Sequence, residues 1–219
     1  MSKKYLTSYG EHYFDISKNH FLEFWDYDEK LKNTWLEIDE LDKNNENDYD
    51  ENNSKEIERL IYVAAGYRND RDAAGHIAII FSAMCLEAII NHYAISRTSK
   101  SYFENYLDKL EVKSKWIIFP KLFSDAEFNR DSQAFQLLDK VITLRNNLVH
   151  YKSRNIEFTF AMSNNIKEED NKFVINVKDS IKAMFYVIDE LKRIDPKWEE
   201  YKWYSLLQKE NPEIIEYIK

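Results

Sequence analysis

The sequence predicts an all-α fold, an antiparallel bundle of helices, and three observations point to it. Only three glycines and three prolines occur among the 219 residues, so the turn residues that a β-rich fold requires are scarce. Hydrophobic residues make up 44% of the chain and aromatic residues 15%, which is ample for a packed core. Apolar residues also recur at helical spacing, most regularly at Leu137, Val141, Leu144 and Leu148.

The first 54 residues are predicted to form an N-terminal extension. Up to residue 38 the segment is rich in aromatic side chains, and its part Tyr13–Trp25 fits short strands or a helix equally well. Asp39–Ser54 consists mainly of Asp, Asn and Glu with almost no large apolar residue. Such a composition cannot form a core and predicts a solvated linker or a mobile loop.

Residues 55–195 are predicted to form a helical domain, followed by a short helical tail over 196–219. The pattern over Ser54–Tyr67 is typical of a capped amphipathic helix, and His76–Ile95 predicts a long helix that is apolar almost all round. Ser163–Lys172 is predicted to be a polar loop. Further helices are expected at Tyr102–Leu110, Lys113–Leu122, Ser132 to about Lys152, Val177–Ile194, and in the tail at Lys197–Gln208 and Glu213–Ile218.

The net charge of −8 argues against a nucleic-acid partner only until its distribution is considered. Residues 1–55 contain 14 acidic and 7 basic side chains, a net charge of −7, which leaves −1 for the rest of the chain. Phosphate binding depends on the local field more than on the total charge, so a nucleic-acid partner stays open. Residues 140–155 contain four basic residues and no acidic one, a net charge of +4: Lys140, Arg145, Lys152 and Arg154.

Several kinds of chemistry are disfavoured by what the chain lacks. Three glycines cannot form a Gly-rich phosphate-binding loop, and no serine has the G-x-S-x-G context of a hydrolase. Histidines and the single cysteine are not grouped at metal-ligand spacing, so we expect neither a metal nor another cofactor. Cys85 lies in an apolar run and is expected to be a core residue. Without a signal-peptide pattern or a membrane-spanning run, the chain is predicted to be soluble and cytoplasmic.

The long helix His76–Ile95 carries a pair of polar residues in apolar surroundings. Glu87 and Asn91 are four residues apart and therefore lie on one face of the helix. A buried carboxylate is costly unless it is paired, and Arg145, at the edge of a later apolar stripe, is the partner that the sequence offers. We expect Glu87, Asn91 and Arg145 to meet. The contact is either a structural ion pair, or Glu87 orients the guanidinium toward a phosphate.

Residues 145–152, Arg-Asn-Asn-Leu-Val-His-Tyr-Lys, concentrate polar groups in two helical turns. Asn146 and His150 are four residues apart and point away from the apolar stripe, whereas Arg145 lies at its edge. The same helix carries a second apolar stripe, which predicts a second packing partner: the N-terminal segment, the tail or another subunit. This second stripe consists of Leu138, Ile142 and Val149.

Arg-Asn-x-x-x-His at the end of a helix resembles the motif of the HEPN superfamily. The earlier Leu86-Glu87-Ala88-Ile89-Ile90-Asn91 strengthens the likeness, as does the order in which Lys115-Trp116 and Phe119-Pro120 follow it. This order is similar to that of uncharacterised bacterial HEPN-like proteins. The resemblance covers roughly residues 55–193, and it implies a HEPN-like helical bundle with residues 1–54 and the tail outside it.

The resemblance implies a metal-independent endoribonuclease, or a relative that binds RNA or a protein without cutting. In the enzyme, His150 would be the general base or acid for a ribose 2′-hydroxyl, and Arg145 would stabilise charge on the phosphorus. Asn146 would position the phosphate or the imidazole, and the product would be a 2′,3′-cyclic phosphate. Glu87, Asn91 and Tyr151 would support this site.

Partners also follow from the resemblance. RNA is the expected substrate, and Lys140, Lys152 and Arg154 would extend its phosphate-binding track. Family members commonly form homodimers that place both motifs in one cleft, and an antitoxin or a phage-defence protein would be a further partner. In some HEPN toxins a tyrosine lies two residues after the histidine and is adenylylated. Here Tyr151 is adjacent to His150 instead, so that modification is not expected.

Overall fold

Every regular element of the described chain is helical, which confirms the predicted all-α class. The computed structural model describes residues 9–47, 50–150, 162–198 and 212–218. Its helices are α1 (Tyr9–Asn47), α2 (Glu51–Arg97), α3 (Lys100–Tyr102) with a π-helical turn at Phe103–Leu107, α4 (Val112–Ser124), α5 (Gln133–Val149), α6 (Met162–Ile194) and α7 (Pro212–Ile218).

The first two helices are much longer than the sequence predicted. α1 has 39 residues and α2 has 47. The linker expected over Asp39–Ser54 is wrong, because α1 continues to Asn47 and α2 already begins at Glu51. The two separate helices expected within Ser54–Ile95 are one helix, since Gly66 and Gly75 do not interrupt it. Tyr13–Trp25, for which strand and helix were both open, is helical.

Two compact units make up the chain. Unit 1 comprises Met1–Lys18 and Ala78–Lys219, and unit 2 comprises Asn19–Ile77. Both long helices therefore contribute to both units. The domain boundaries expected from the sequence, at residues 54/55 and 195/196, do not coincide with the limits of these two units. That division into domains stays a prediction.

Unit 2 pairs the middle and end of α1 with the first half of α2. The two segments are antiparallel, because Asn45 donates a hydrogen bond to Ser54 Oγ at 2.9 Å while Asp28 pairs with Arg71. Apolar residues three or four positions apart keep the two helices in contact, so the acidic residues between them can be helical and still face solvent. The buried apolar residues include Phe21, Phe24, Leu31, Ile38, Leu60, Ala64 and Ala74.

A buried ion pair lies inside this helical pair. Arg71 is 2% exposed and Asp28 is 3% exposed, and Arg71 Nη1 lies 3.2 Å from Asp28 Oδ1. Arg71 Nη2 also donates to Asp72 Oδ1 at 2.9 Å, and its guanidinium lies 5.9 Å from the ring centre of Phe24. Every charge in this cluster thus has an opposite charge beside it, as burial requires.

Unit 1 contains the larger core, in which α5 packs against both α4 and α6. Two helices of the same chain are therefore available to cover the two apolar stripes of α5. The first two residues of each stripe are buried, whereas Val149 at the end of the helix is 53% exposed. The buried core of this unit includes Leu86, Ile90, Trp116, Phe119, Leu137, Leu138, Val141, Ile142, Val177, Met184 and Leu191.

Two further expectations concern α6 and α2. The polar loop predicted over Ser163–Lys172 is wrong, because these residues belong to α6, where Lys172 and Glu168 form a stabilising i, i+4 pair at 2.8 Å. Among the described helices, α2 is long and apolar enough to span a membrane by length and composition. The core helix of a soluble protein passes the same test, and 56% of the most apolar stretch of α2 is buried in the protein. The cytoplasmic location stays a prediction.

Candidate functional site

A cleft of about 430 Å³ in unit 1 brings together α2, α5 and the segment that leads into α4. Its apolar lining comes from Ala83, Leu110, Val112 and Ile142. Its polar lining contains two carboxylates, two cations and one amide, so the formal charges cancel. These polar residues are Glu87, Glu111, Lys113, Arg145 and Asn146.

Helix α5 positions the central cation of this cleft. It begins after Ser132, whose hydroxyl accepts a hydrogen bond from the backbone N–H of Phe135 at 3.2 Å, as an N-cap should. The buried residues Leu138 and Ile142 then fix the helix against its neighbours. Arg145 follows Ile142 by three residues and so lies on the same side of α5, about one turn closer to the C-terminal end of the helix.

Arg145 is held by two groups. Its Nη1 donates a hydrogen bond to Asn146 Oδ1 at 3.0 Å, and its Nη2 lies 3.9 Å from Glu87 Oε2. About one third of each charged side chain is exposed, 32% for Arg145 and 34% for Glu87. The structure thus brings Glu87 and Arg145 together, as the sequence predicted, although their distance is too long for a direct hydrogen bond.

Asn91 does not join this pair. It is half-buried one turn after Glu87, and its Oδ1 is buried without a hydrogen-bond partner among the described residues. The expected meeting of three residues is therefore wrong for Asn91. The guanidinium of Arg145 donates to the neighbouring amide of Asn146, and Asn91 does not line the cleft that contains them.

His150 ends α5 and is exposed. Its backbone N–H donates to the carbonyl oxygen of Asn146 at 2.9 Å, while its imidazole contacts no hydrogen-bonding or charged group in the described part of the chain. It does not line the cleft, but it is the next helical turn beyond Asn146. The motif therefore places a guanidinium and an amide in the cleft, whereas His150 is not among the lining residues.

The residues expected to bind RNA have different surroundings. Lys140 Nζ lies 2.6 Å from Asp179 Oδ2 and so ties α5 to α6. It does not line the cleft that contains Arg145. Tyr151, Lys152 and Arg154 lie outside the described residues.

Glu111 and Lys113 are cleft residues that the sequence did not single out. Glu111 precedes α4 and has an extended backbone, with φ −59° and ψ 146°. Lys113 forms an ion pair with Asp139 of α5. Both residues are ordinary charged residues near a predicted helix start, and only the packing of α4 beside α5 shows that they face Arg145 across a shared cleft.

The described residues contain no group of three or more His, Cys, Asp or Glu side chains arranged to hold a metal ion. Comparisons of the chain with protein-family models, with curated proteins and with solved structures found no match. The likeness to the HEPN superfamily therefore depends on the motif residues themselves.

Proposed function

We propose that this protein is a metal-independent endoribonuclease of the HEPN type. The observation that carries the proposal is the arrangement around Arg145, which donates a hydrogen bond to Asn146, lies near Glu87 and is followed five residues later by the exposed His150. A toxin–antitoxin or phage-defence role, and a homodimer with a shared cleft, are the context that the family resemblance suggests.

Arg145 suits the role of an anchor for the scissile phosphate. A guanidinium has five N–H donors, and Asn146 takes up one of them. Glu87 lies beyond hydrogen-bonding distance, so it biases the orientation of the cation without occupying its donors. The cation is therefore fixed where negative charge develops during attack on phosphorus, which lowers the barrier without any movement of the protein.

His150 suits proton transfer because its imidazole is exposed. It would take the proton of the 2′-hydroxyl, whose oxygen then bonds to phosphorus. The bond from phosphorus to the 5′-oxygen breaks, and the 5′-oxygen takes up a proton from water or from the histidine of a second copy of the chain. The products are a 2′,3′-cyclic phosphate and a 5′-hydroxyl end.

A non-catalytic HEPN-like module that binds RNA or a protein is the second candidate. It is favoured by the fact that His150 does not line the cleft that contains Arg145 and Asn146. A binding module needs the guanidinium and the amide but not the imidazole. Loss of His150 should therefore abolish cleavage by the enzyme but leave binding by the module unchanged.

The test is cleavage of a mixed tRNA and mRNA pool in EDTA, with analysis of the product ends. Wild type is compared with Arg145→Ala and His150→Ala, and with the exposed control variants Arg130→Ala and His12→Ala. We expect wild type and controls to leave cyclic-phosphate ends, and both motif variants to lose at least about a hundredfold in rate. An inert wild type, or motif variants that cut as fast as the controls, would contradict the proposal. If the wild-type protein binds RNA without cutting it, the binding module is favoured.

A further inference from the structure

We infer that the cleft beside Arg145 is a base-binding subsite in which Glu111 and Lys113 select guanine next to the scissile phosphate. The inference deepens the proposed function, on which it depends for the phosphate at Arg145. It adds a substrate preference, for single-stranded RNA with a guanine at the cut.

The cleft has the size and the lining of a small-molecule site. Its volume of about 430 Å³ falls in the range of roughly 300–1,000 Å³ that such sites occupy. Four apolar residues supply a surface against which a flat ring loses contact with water. Arg145 and Asn146 line the same space. A nucleotide whose phosphate is bound by Arg145 can therefore place its base against the apolar part of the cleft.

Glu111 supplies a carboxylate of this cleft that is not paired with another described residue. It occupies the N-cap position of α4, yet its side chain makes no capping hydrogen bond, and the described residues give it no ion pair. It is also exposed, so its carboxylate is available to a ligand. Glu87, by contrast, already faces Arg145.

Lys113 supplies a donor two residues further on. Its ammonium pairs with Asp139, but an ammonium has three N–H donors, so this pairing leaves others available. Lys113 is partly exposed and lines the cleft together with Glu111. The segment thus presents a group that only accepts hydrogen bonds beside a group that only donates them.

Guanine matches this pair better than the other three bases. Its Watson–Crick edge has two adjacent donors, N1–H and the 2-amino group, beside the acceptor O6. The two donors fit one carboxylate, and O6 fits the ammonium. Adenine and cytosine each offer a single amino group beside an acceptor, and uracil has one N–H between two acceptors. Recognition of this edge requires an unpaired base, which is how proteins commonly read RNA sequence.

The first experiment measures which base lies at the cut. Sixteen oligonucleotides each contain one ribonucleotide among deoxyribonucleotides, which fixes the cut, and the two bases that flank the cut are varied. We expect wild type to cleave sequences with guanine on one side of the cut about tenfold faster or more. Glu111→Gln, which keeps the size of the side chain but replaces one acceptor by a donor, should abolish this preference. The matched control Glu11→Gln, at an exposed position outside the cleft, should retain it.

A second experiment measures base binding without cleavage. His150→Ala is titrated with guanosine, adenosine, cytidine and uridine 5′-monophosphates, with and without Glu111→Gln. Preferred binding of guanosine monophosphate that depends on Glu111 supports the subsite even if no RNA is cut, in which case only the proposed ribonuclease fails. Cleavage without a guanine preference, or a preference unchanged in Glu111→Gln, overturns the subsite and leaves the ribonuclease intact. If the protein neither cleaves RNA nor binds these nucleotides, both the ribonuclease and the subsite are overturned.

Discussion

Glu87 Oε2 lies 3.9 Å from Arg145 Nη2, so a helix of the core and the helix of the motif face each other through opposite charges. The separation permits attraction but no direct hydrogen bond. Because about one third of each side chain is exposed, water screens the pair, and its effect on folding is small. In the ribonuclease that we propose, this contact would orient the guanidinium.

Replacing Glu87 by Gln is therefore expected to change catalysis more than stability. The free energy of unfolding should stay within about 1 kcal/mol of wild type, since exposed pairs contribute little. The single-turnover rate of RNA cleavage should fall about tenfold, because a guanidinium that is less well oriented stabilises the transition state less well. Glu87→Asp, which retains the charge, should recover part of the rate. A rate that is identical in wild type and Glu87→Gln would show that Glu87 has no positioning role.

Tyr93 makes the stability of unit 1 sensitive to alkaline pH. Its hydroxyl donates to Asp195 Oδ2 at 3.0 Å, and burial, together with the nearby charge of Asp195, raises the pKa of Tyr93 to about 12. The folded-state pKa thus lies above the ordinary value of 10.0, so the folded state favours the neutral phenol. This contribution is complete below about pH 10 and is lost as the pH rises toward about 12.

Urea denaturation at pH 9 and near pH 12 tests this sign. The free energy of unfolding should fall by about 2 kcal/mol more in wild type than in Tyr93→Phe, which has no phenol to ionise. At neutral pH the same variant should lose only about 1 kcal/mol, the typical contribution of one hydrogen bond. Equal alkaline losses in the two proteins would mean that Tyr93 does not carry the effect.

Removing one partner of the buried Asp28–Arg71 pair should lower the free energy of unfolding much more than replacing both partners by apolar residues. Asp28→Ala removes a buried carboxylate that pairs with the buried guanidinium of Arg71, and we expect a loss of about 2 to 3 kcal/mol in the free energy of unfolding. The double variant Asp28→Leu with Arg71→Met removes both buried charges and should lie within about 1 kcal/mol of wild type. Urea denaturation measures both values. A double variant as unstable as Asp28→Ala would show that the charges themselves are required.

Cys85 should be inert in the native protein. The thiol is fully buried and donates to the backbone oxygen of Gly10 at 3.3 Å, and burial raises its pKa. Because the thiolate is the reactive form, labelling by an aromatic disulfide at pH 8 should be at least about a hundredfold slower in buffer than in urea. Rapid labelling of the folded protein would contradict its place in the core.

The helix that carries the motif could be predicted from the sequence because its signals are local. Ser132 is a capping residue, the apolar residues after it repeat at helical spacing, and the structure has α5 at Gln133–Val149. The pairing of Glu87 with Arg145 could also be predicted, since a charge on an otherwise apolar helix needs a partner, but the pair is one third exposed and not buried as the sequence suggested. The functional roles of these residues stay predictions.

Other features depended on contacts between distant parts of the chain. Asp39–Ser54 has the composition of a linker, and it is largely helical because the apolar residues of α1 and α2 meet along an antiparallel pair, which no single segment reveals. Asn91 shares a face with Glu87, yet its Oδ1 has no hydrogen-bond partner among the described residues, whereas Arg145 donates to Asn146. The cleft that joins Glu111 to Arg145 exists only where α4 begins beside α5. Helical periodicity and charge are properties of neighbouring residues, so the sequence alone determined the fold class and the motif. Which side chains share a cavity depends on the packing of whole helices, so only the tertiary structure decided the extent of the site.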